Sequence, residues 1–491
     1  MPALNNETLG QLNRDVAVPA YDRSRVTTGI VHFGVGGFHR AHQAMYLDAL
    51  MNAGQALEFG ICGVGVMPSD RRMADVMAAQ DGLYTLVEKH ADGTYAPRVI
   101  GSIIDYKYAP DDVEDVLATM AAETTRIVSL TVTEGGYNFH HVTGAFDLDN
   151  PDVVHDLAEG AAPKTVFGLV AEALRRRRAA GIAPFTVMSC DNIQANGDVA
   201  RRMFVAFAEA KDADLGAWMA EHVSFPNSMV DRITPVTTEA DRSEVAERFG
   251  IEDAWPVVCE PFTQWVLEDH FTLGRPSYDD VGVQIVDDVM PYELMKLRLL
   301  NASHQALTYF GTLAGYRYAH DVCQDKLFAD FLMAYMTHEG QPTLSPVPGV
   351  DLEAYKHTLI ERFSNPEIRD TLARLCAESS DRIPKWLMPV VREQLASGGD
   401  IHRSAAVVAS WARYAEGHDE AGQPIEIVDR LADSLKAAAQ RNRDRPTAFI
   451  ENRELFGDVI DDTRFVDAYT RALACLHADG ARATLEMLAR G

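Results

Sequence analysis

The chain has 491 residues, 47% hydrophobic and 24% charged; the length exceeds one ordinary core, and the balance excludes disordered and fibrous classes. Its 45 Lys and Arg against 72 Asp and Glu leave a net charge of -27, which repels polyanions and excludes nucleic acid and anionic membrane surfaces as general partners. Cys62, Cys190, Cys259, Cys323, Cys376 and Cys475 are too scattered for a zinc or redox motif, and no run nears the roughly 20 apolar residues of a membrane span; residues 1–19 lack the apolar core of a signal peptide, so a cytoplasmic protein with reduced thiols is expected.

In chain order, GIVHFGVGG (29–37), AHQAMYLDALMNAG (41–54) and EFGICGVGV (58–66) read as strand, glycine turn, helix and strand, a βαβ unit. LYTLVEKHADGTYAPRVIGSI (83–103) reads as a hairpin turning at Asp92-Gly93. RIVSLTV (126–132) and PFTVMSC (184–190) are further strands, alternating with helical stretches such as TVFGLVAEALRRRR (165–178), so the first half is doubly wound. The dense basic run Arg175 to Arg178 sits where a helix macrodipole favours cations, just before Gly181. PVVCEPFTQWVLED (256–269) is a strand-rich insertion, expected with the hairpin to extend the sheet or its edge. After about Pro291 amphipathic segments follow one another, among them DKLFADFLMAYMTH (325–338), AYKHTLIERF (354–363), AAVVASWARYAE (405–416) and EIVDRLADSLKAAAQR (426–441). The division expected is therefore 1–290, a dinucleotide-binding domain with strand insertions, and 291–491, a helical domain for substrate and catalysis. Oligomeric state is open, and a monomer suffices.

Gly34, Gly36 and Gly37 close the first strand where backbone N–H groups can hold a pyrophosphate. The dinucleotide fingerprint would put its third glycine at position 39, which is His39 here, so the same turn also suits a ligand-free bend. Asp70, after the second strand, is placed to accept hydrogen bonds from a ribose diol and to repel a 2'-phosphate, which favours NAD over NADP; Arg71 and Arg72 temper that preference. The candidate cofactor stretch is Gly34, Val35, Gly36, Gly37, Phe38, His39 and Arg40, with Asp70. His39 and His42 stand three apart as a metal pair would, but no third ligand is evident, so no metal is expected.

PYELMKLRLLNASHQALTYFGTLAG (291–315) reads as one helix, opened by Pro291 and ended at Gly311 or Gly315. At about 100° per residue, Glu293, His304 and Asn301 fall about 60°, 80° and 140° from Lys296, on one side of a helix apolar around the rest. Lys296 can simply pair with Glu293 there, with His304 and Asn301 completing core hydrogen bonds. The same burial disfavours the ammonium form and lets a lysine serve as a base, as alcohol oxidation requires while hydride leaves for a nicotinamide. Asn301 can donate to the developing oxyanion, and Asn192, at the carboxyl end of a parallel strand, can supply a second donor or simply lie in a polar turn.

Six motifs in this order, GVGGFHRAHQ (34–43), TVTEGGY (131–137), SCDNIQANG (189–197), FPNSMVDRITP (225–235), KLRLLNASHQAL (296–307) and DRIPKWLMPVV (381–391), resemble the polyol-specific long-chain dehydrogenases, the mannitol 2-dehydrogenase family, over nearly the whole chain. The resemblance implies a Rossmann-type doubly wound sheet with extra strands, a mostly α-helical C-terminal domain and a zinc-free site to which both contribute. It implies Lys296 as general base, Asn192 and Asn301 as the oxyanion clamp, His304 and Asp231 as substrate-hydroxyl ligands, Arg374 as a further substrate contact, and Glu293 and Glu134 as a proton relay. Two departures stand out: Ser69 precedes Asp70 where the family often has a second carboxylate, and Trp386 replaces the usual Phe. The expected reaction is NAD-dependent interconversion of a polyol and its ketose, D-mannitol and D-fructose first. The alternatives are a reductase of fructuronate or tagaturonate, for which Arg374 and Lys385 would bind the carboxylate, and a non-catalytic dinucleotide sensor, which would have no need of Lys296.

Overall fold

The computed structural model describes residues 2–140 and 143–490. The chain divides between Met290 and Pro291 into two compact units.

The first unit is built on a five-stranded parallel sheet. Across it lie Ile103–Tyr108, Gly60–Gly65, Thr28–Phe33, Ile127–Leu130 and Thr186–Ser189, in that order. The first strand of the chain is thus central, with later strands added on either side, the arrangement that leaves a ligand crevice at the carboxyl ends of its strands. Val31, Phe33, Val64, Val128, Leu130 and Val187 are fully buried because helices cover both faces. One covering helix, Val166–Ala180, ends at Gly181 in the left-handed region (φ +71). Its basic run is structural: the Arg177 guanidinium is buried and donates to the carbonyls of Ala122, Thr125 and Ala183, while Arg175 and Arg176 pair with Glu172.

The strand insertions do not extend this sheet. Tyr84–Lys89 and Tyr95–Ile100 form the expected hairpin through Asp92-Gly93, but they join Val257–Cys259 in a separate three-stranded sheet. The second half of the insertion, Gln264–Glu268, pairs instead with Ser228–Asp231 and Gln284–Val286. Residues between Cys259 and Gln264 send the chain from one small sheet to the other, so an apparently single strand-rich run serves two sheets.

The second unit contains helices and no named strand among its described residues. Lys326–Tyr335, Leu352–Phe363 and His402–Tyr414 lie where amphipathic periodicity puts them. The stretch expected to be helical over 426–441 is helical only at Ala432–Ala439. Its first residues bond elsewhere: the Val428 carbonyl accepts from Glu378 N–H, and the Asp429 carboxylate accepts from Ser380 N–H and Oγ. Among the described residues no helix is long and apolar enough to cross a membrane, and all six cysteines are free.

Candidate functional site

In the first unit the glycine turn is fixed by its surroundings. Gly34 has φ +90, and a Cβ there would come within 2.1 Å of the Thr131 carbonyl, so only glycine fits. Gly36 differs: its backbone is extended, and a Cβ would meet nothing closer than Gly34 O at 3.8 Å. Protein packing does not require glycine at position 36; open space there suits close approach of a ligand to the backbone. A short helix, Gly37–Ala41, follows, and His42 (φ -125, ψ -95) breaks it from Gln43–Asn52. His39 and His42 therefore do not share one regular helix face. The His39 ring is buried and stacks on His32 at 3.4 Å between centroids, and His42 Nε2 lies 3.1 Å from the Gln264 carbonyl. Burial lowers the His32 imidazole to about 3 and the His39 imidazole well below the usual range, so both are neutral. Among the described residues no group of three or more His, Cys, Asp or Glu could hold a metal ion. The Arg40 guanidinium is also turned inward, donating to the carbonyls of Gly36 (3.3 Å) and Trp255, so it supports the turn's shape. Val35 is buried and packs in the core, and Phe38 stacks on His42.

Asp70 follows the second strand, and its Oδ2 accepts from Val66 and Met67 N–H at 3.0 and 2.9 Å. It thereby shapes the loop that follows the second strand. Neither neighbouring arginine is idle: Arg71 pairs with Asp111 through two nitrogens and lies over the Tyr108 ring, and Arg72 lies over Trp255.

Two loops at the carboxyl ends of the neighbouring strands Ile127–Leu130 and Thr186–Ser189 carry Glu134 and Asn192, both exposed. They are joined by Asp191, a residue the sequence reading passed over. Its carboxylate accepts from Thr133 N–H (2.8 Å), Val132 N–H (3.2 Å) and the Tyr137 hydroxyl (2.8 Å). Burial pushes the Asp191 carboxyl up to about 6 despite those donors, so it is ionised at neutral pH. The available signal was an acid placed directly before Asn192 at the end of a buried strand. Asp231 is buried at the end of Ser228–Asp231, opposite Gln264.

In the second unit the helix bearing Lys296 is not one regular helix. Met290–Met295 and Ala302–Leu313 are α-helical, but Lys296–Asn301 is a π-helix. The Ala302 N–H reaches back to the Leu297 carbonyl, and the Arg298 carbonyl that an α-helix would offer it accepts the Tyr335 hydroxyl at 3.0 Å. Gly340 permits this close packing, since a Cβ there would lie 3.2 Å from Arg298 O and 2.9 Å from Leu299 Cδ2. The wider turn corrects the angles expected for a regular helix: residues five apart now face the same way, so Lys296 and Asn301 share a side more closely than α winding allows. Glu293, Lys296, Asn301 and His304 are 7%, 6%, 6% and 8% exposed. The Asn301 Oδ1 is buried with no hydrogen-bond partner among the described residues, leaving a bond for a ligand to complete. The His304 ring packs on Phe363 at 4.3 Å. Arg298, pointing elsewhere on the same turn, anchors it through Glu393 and the Thr343 carbonyl. Arg374 is on Leu372–Cys376, which packs on Ala302–Leu313; its side chain is about half exposed and is paired with Asp370 at 2.7 Å through Nε.

Residues 28–280 match the family model described as the mannitol dehydrogenase Rossmann domain, and residues 288–477 match the mannitol dehydrogenase C-terminal domain. The chain belongs to the mannitol dehydrogenase family. As a member of it, the chain is an oxidoreductase with a Rossmann-type first unit and a helical second one. Within the family it is 48% identical to the mannitol 2-dehydrogenase of Phaeosphaeria nodorum over 490 residues, 99% of this chain and 85% of that one. It is also similar to the structure of Pseudomonas fluorescens mannitol 2-dehydrogenase in ternary complex with NAD and D-mannitol, at 47% identity and TM-score 0.90 with both chains fully covered. A substrate-free D-sorbitol dehydrogenase is similar at 38% identity and TM-score 0.92, over 98% of this chain and all of the other.

Proposed function

We propose that this chain oxidises a polyol at C2 to its ketose with NAD and catalyses the reverse reduction, D-mannitol and D-fructose being the preferred pair. The observation that carries the reading is the buried polar set Glu293, Lys296, Asn301 and His304 on an otherwise apolar helix whose π turn begins at Lys296. Burying a lysine costs stability unless it is paired or held neutral, and such residues concentrate at functional sites. The names of the relatives above support the substrate, and the open space at Gly36 supports a dinucleotide held by Gly34 to Arg40 with Asp70 beside the adenosine ribose. The nicotinamide ring, when bound, supplies the acceptor for hydride.

The chain's own residues supply the rest. Lys296, as a neutral amine, takes the hydroxyl proton as the carbon loses hydride, and Glu293 and Glu134 pass that proton to solvent. Asn192 and Asn301 donate to the oxygen as it gains charge, without any metal. His304 and Asp231 hold neighbouring hydroxyls and so fix which carbon faces the base. Arg374 contributes at the edge of the substrate. Its donors are already engaged by Asp370, so a substrate carboxylate would have to compete for them, which favours a polyol over a ketouronate.

The test is NADH oxidation with a panel of ketoses and ketouronates, in parallel with Lys296→Ala. D-Fructose should be the fastest substrate, and activity should survive exhaustive chelation. Lys296→Ala should lower kcat by about 10²- to 10⁴-fold while NADH still binds. Fastest turnover of a ketouronate would transfer the assignment to uronate reduction, and near-normal turnover of the variant would remove lysine as the base.

A further inference from the structure

The segment Val132 to Tyr137 is held in a shape it would not keep alone. Thr133 has φ +65 and ψ +169, a region of backbone space essentially confined to glycine and most costly for a β-branched residue. The chain then folds back on itself: Gly136 N–H donates to the Thr133 carbonyl at 3.0 Å, and a Cβ at Gly136 would press within 2.8 Å of the Val132 side chain. Glu134 stands directly after the strained residue.

The restraint comes from the neighbouring loop. The two Asp191 oxygens take the two consecutive N–H groups of Val132 and Thr133, one each. The Tyr137 hydroxyl, buried at the far end of the segment, lies 2.8 Å from Asp191 Oδ2 and 2.6 Å from Ser189 Oγ. Asp191 also fixes its own loop, because its carbonyl accepts from Ile193 N–H at 2.9 Å and from Asn196 Nδ2 at 3.0 Å. Asn192 lies between these anchors. Among the described residues, the ionisable groups against the carboxylate are Tyr137 and Cys190, both kept neutral by burial.

We propose that Asp191 is a positioning residue for the reaction: its carboxylate clamps the loop after Ile127–Leu130 to the loop after Thr186–Ser189, holds Thr133 in its strained conformation, and thereby aims Glu134 and Asn192. The proposal rests on the roles given to those two residues above. A carboxylate suits the task because both its oxygens accept, whereas an amide would present N–H to one of the two backbone donors.

Asp191→Asn is expected to lower kcat by about 10- to 100-fold with NADH affinity, read by fluorescence titration, changed less than about threefold. Tyr137→Phe, which removes one of the three donors and leaves the carboxylate, is the gentler version and should lower kcat about threefold. Thr133→Gly removes the strain that the clamp opposes, so Asp191→Asn in the Thr133→Gly background should recover at least half of the lost kcat on a logarithmic scale. The fall in melting temperature caused by Asp191→Asn should likewise be at least halved in that background. Unchanged kcat in both Asp191→Asn and Tyr137→Phe would overturn the positioning role, and equal melting losses in the two backgrounds would overturn the clamp. The melting cycle uses no substrate, so it decides the clamp even where the polyol reading fails through inactivity of the unaltered protein.

Discussion

Asp70 ties a loop together as well as carrying the cofactor role proposed for it, and this sets what its removal should do. One oxygen ties Val66 and Met67 N–H into the loop; in the proposed role the carboxylate also accepts from a ribose diol. Asp70→Ala should therefore lower kcat/KM for NAD by about 10- to 100-fold, the worth of a charge-assisted hydrogen bond of about 1.5–3 kcal/mol. It should not create a strong NADP enzyme. Arg71 is engaged by Asp111 and Tyr108, and Arg72 by Trp255, so a 2'-phosphate must compete for either guanidinium. The expected outcome is a narrowed NAD:NADP ratio with kcat/KM for NADP raised only a few-fold; a ratio unchanged in parallel assays would show that another residue sets the preference. Sequence alone located Asp70 from its place after a strand, but not its loop bonds or the occupation of the arginines, which arise from Asp111 and Trp255 far along the chain. Asp191 was missed for the same reason: its partners, Val132, Thr133 and Tyr137, lie more than fifty positions earlier.

At the scale of elements, strands and turns with local causes were legible and those with tertiary causes were not. The hairpin at Asp92-Gly93 follows from its own residues. The π turn at Lys296–Asn301 depends on a hydroxyl from Tyr335 and on the absence of a side chain at Gly340, which no periodicity of the helix itself reports. A second π segment, Met336–Gly340, carries a further such dependence. Its Glu339 is fully buried, and the carboxylate accepts from Arg403 and Ser404 N–H, both at 2.7 Å, capping the helix His402–Tyr414, which has no side-chain cap from its own N-cap residue. Glu339→Ala should cost about 1–3 kcal/mol through loss of the cap and of a buried acceptor, seen as a lower melting temperature. Burial raises the Glu339 carboxyl to about 7 from its ordinary 4.5. The folded state therefore binds the proton more tightly, so this group's contribution is fully present below about pH 4.5 and is lost as pH rises through about 7. Melting of the unaltered protein relative to Glu339→Gln should accordingly worsen between about pH 5 and pH 8; a constant difference would mean that the carboxyl does not titrate there.

For the molecule as a whole the dominant electrostatic fact is the excess of 72 acidic over 45 basic side chains. Many of the basic residues are already paired at the surface, as in Arg175 with Glu172, Arg275 with Asp269 and Arg453 with Asp461. Exposed pairs of this kind contribute about 0–1 kcal/mol each and weaken with salt, whereas the unpaired acids repel one another over the full Debye length. That length is about 30 Å at 0.01 M ionic strength and about 10 Å at 0.1 M, so the collective repulsion is the larger quantity to be screened. Raising sodium chloride from about 10 mM to about 150 mM should thus increase the melting temperature by a few degrees at pH 7.5. The same screening should lower KM for the anionic dinucleotide about two- to threefold while leaving KM for the uncharged sugar unchanged, because only the dinucleotide approaches against the field. A melting temperature that falls with salt would show that the specific ion pairs outweigh the net charge, and equal shifts in both KM values would show that salt acts on the protein and not on the approach of a charged ligand.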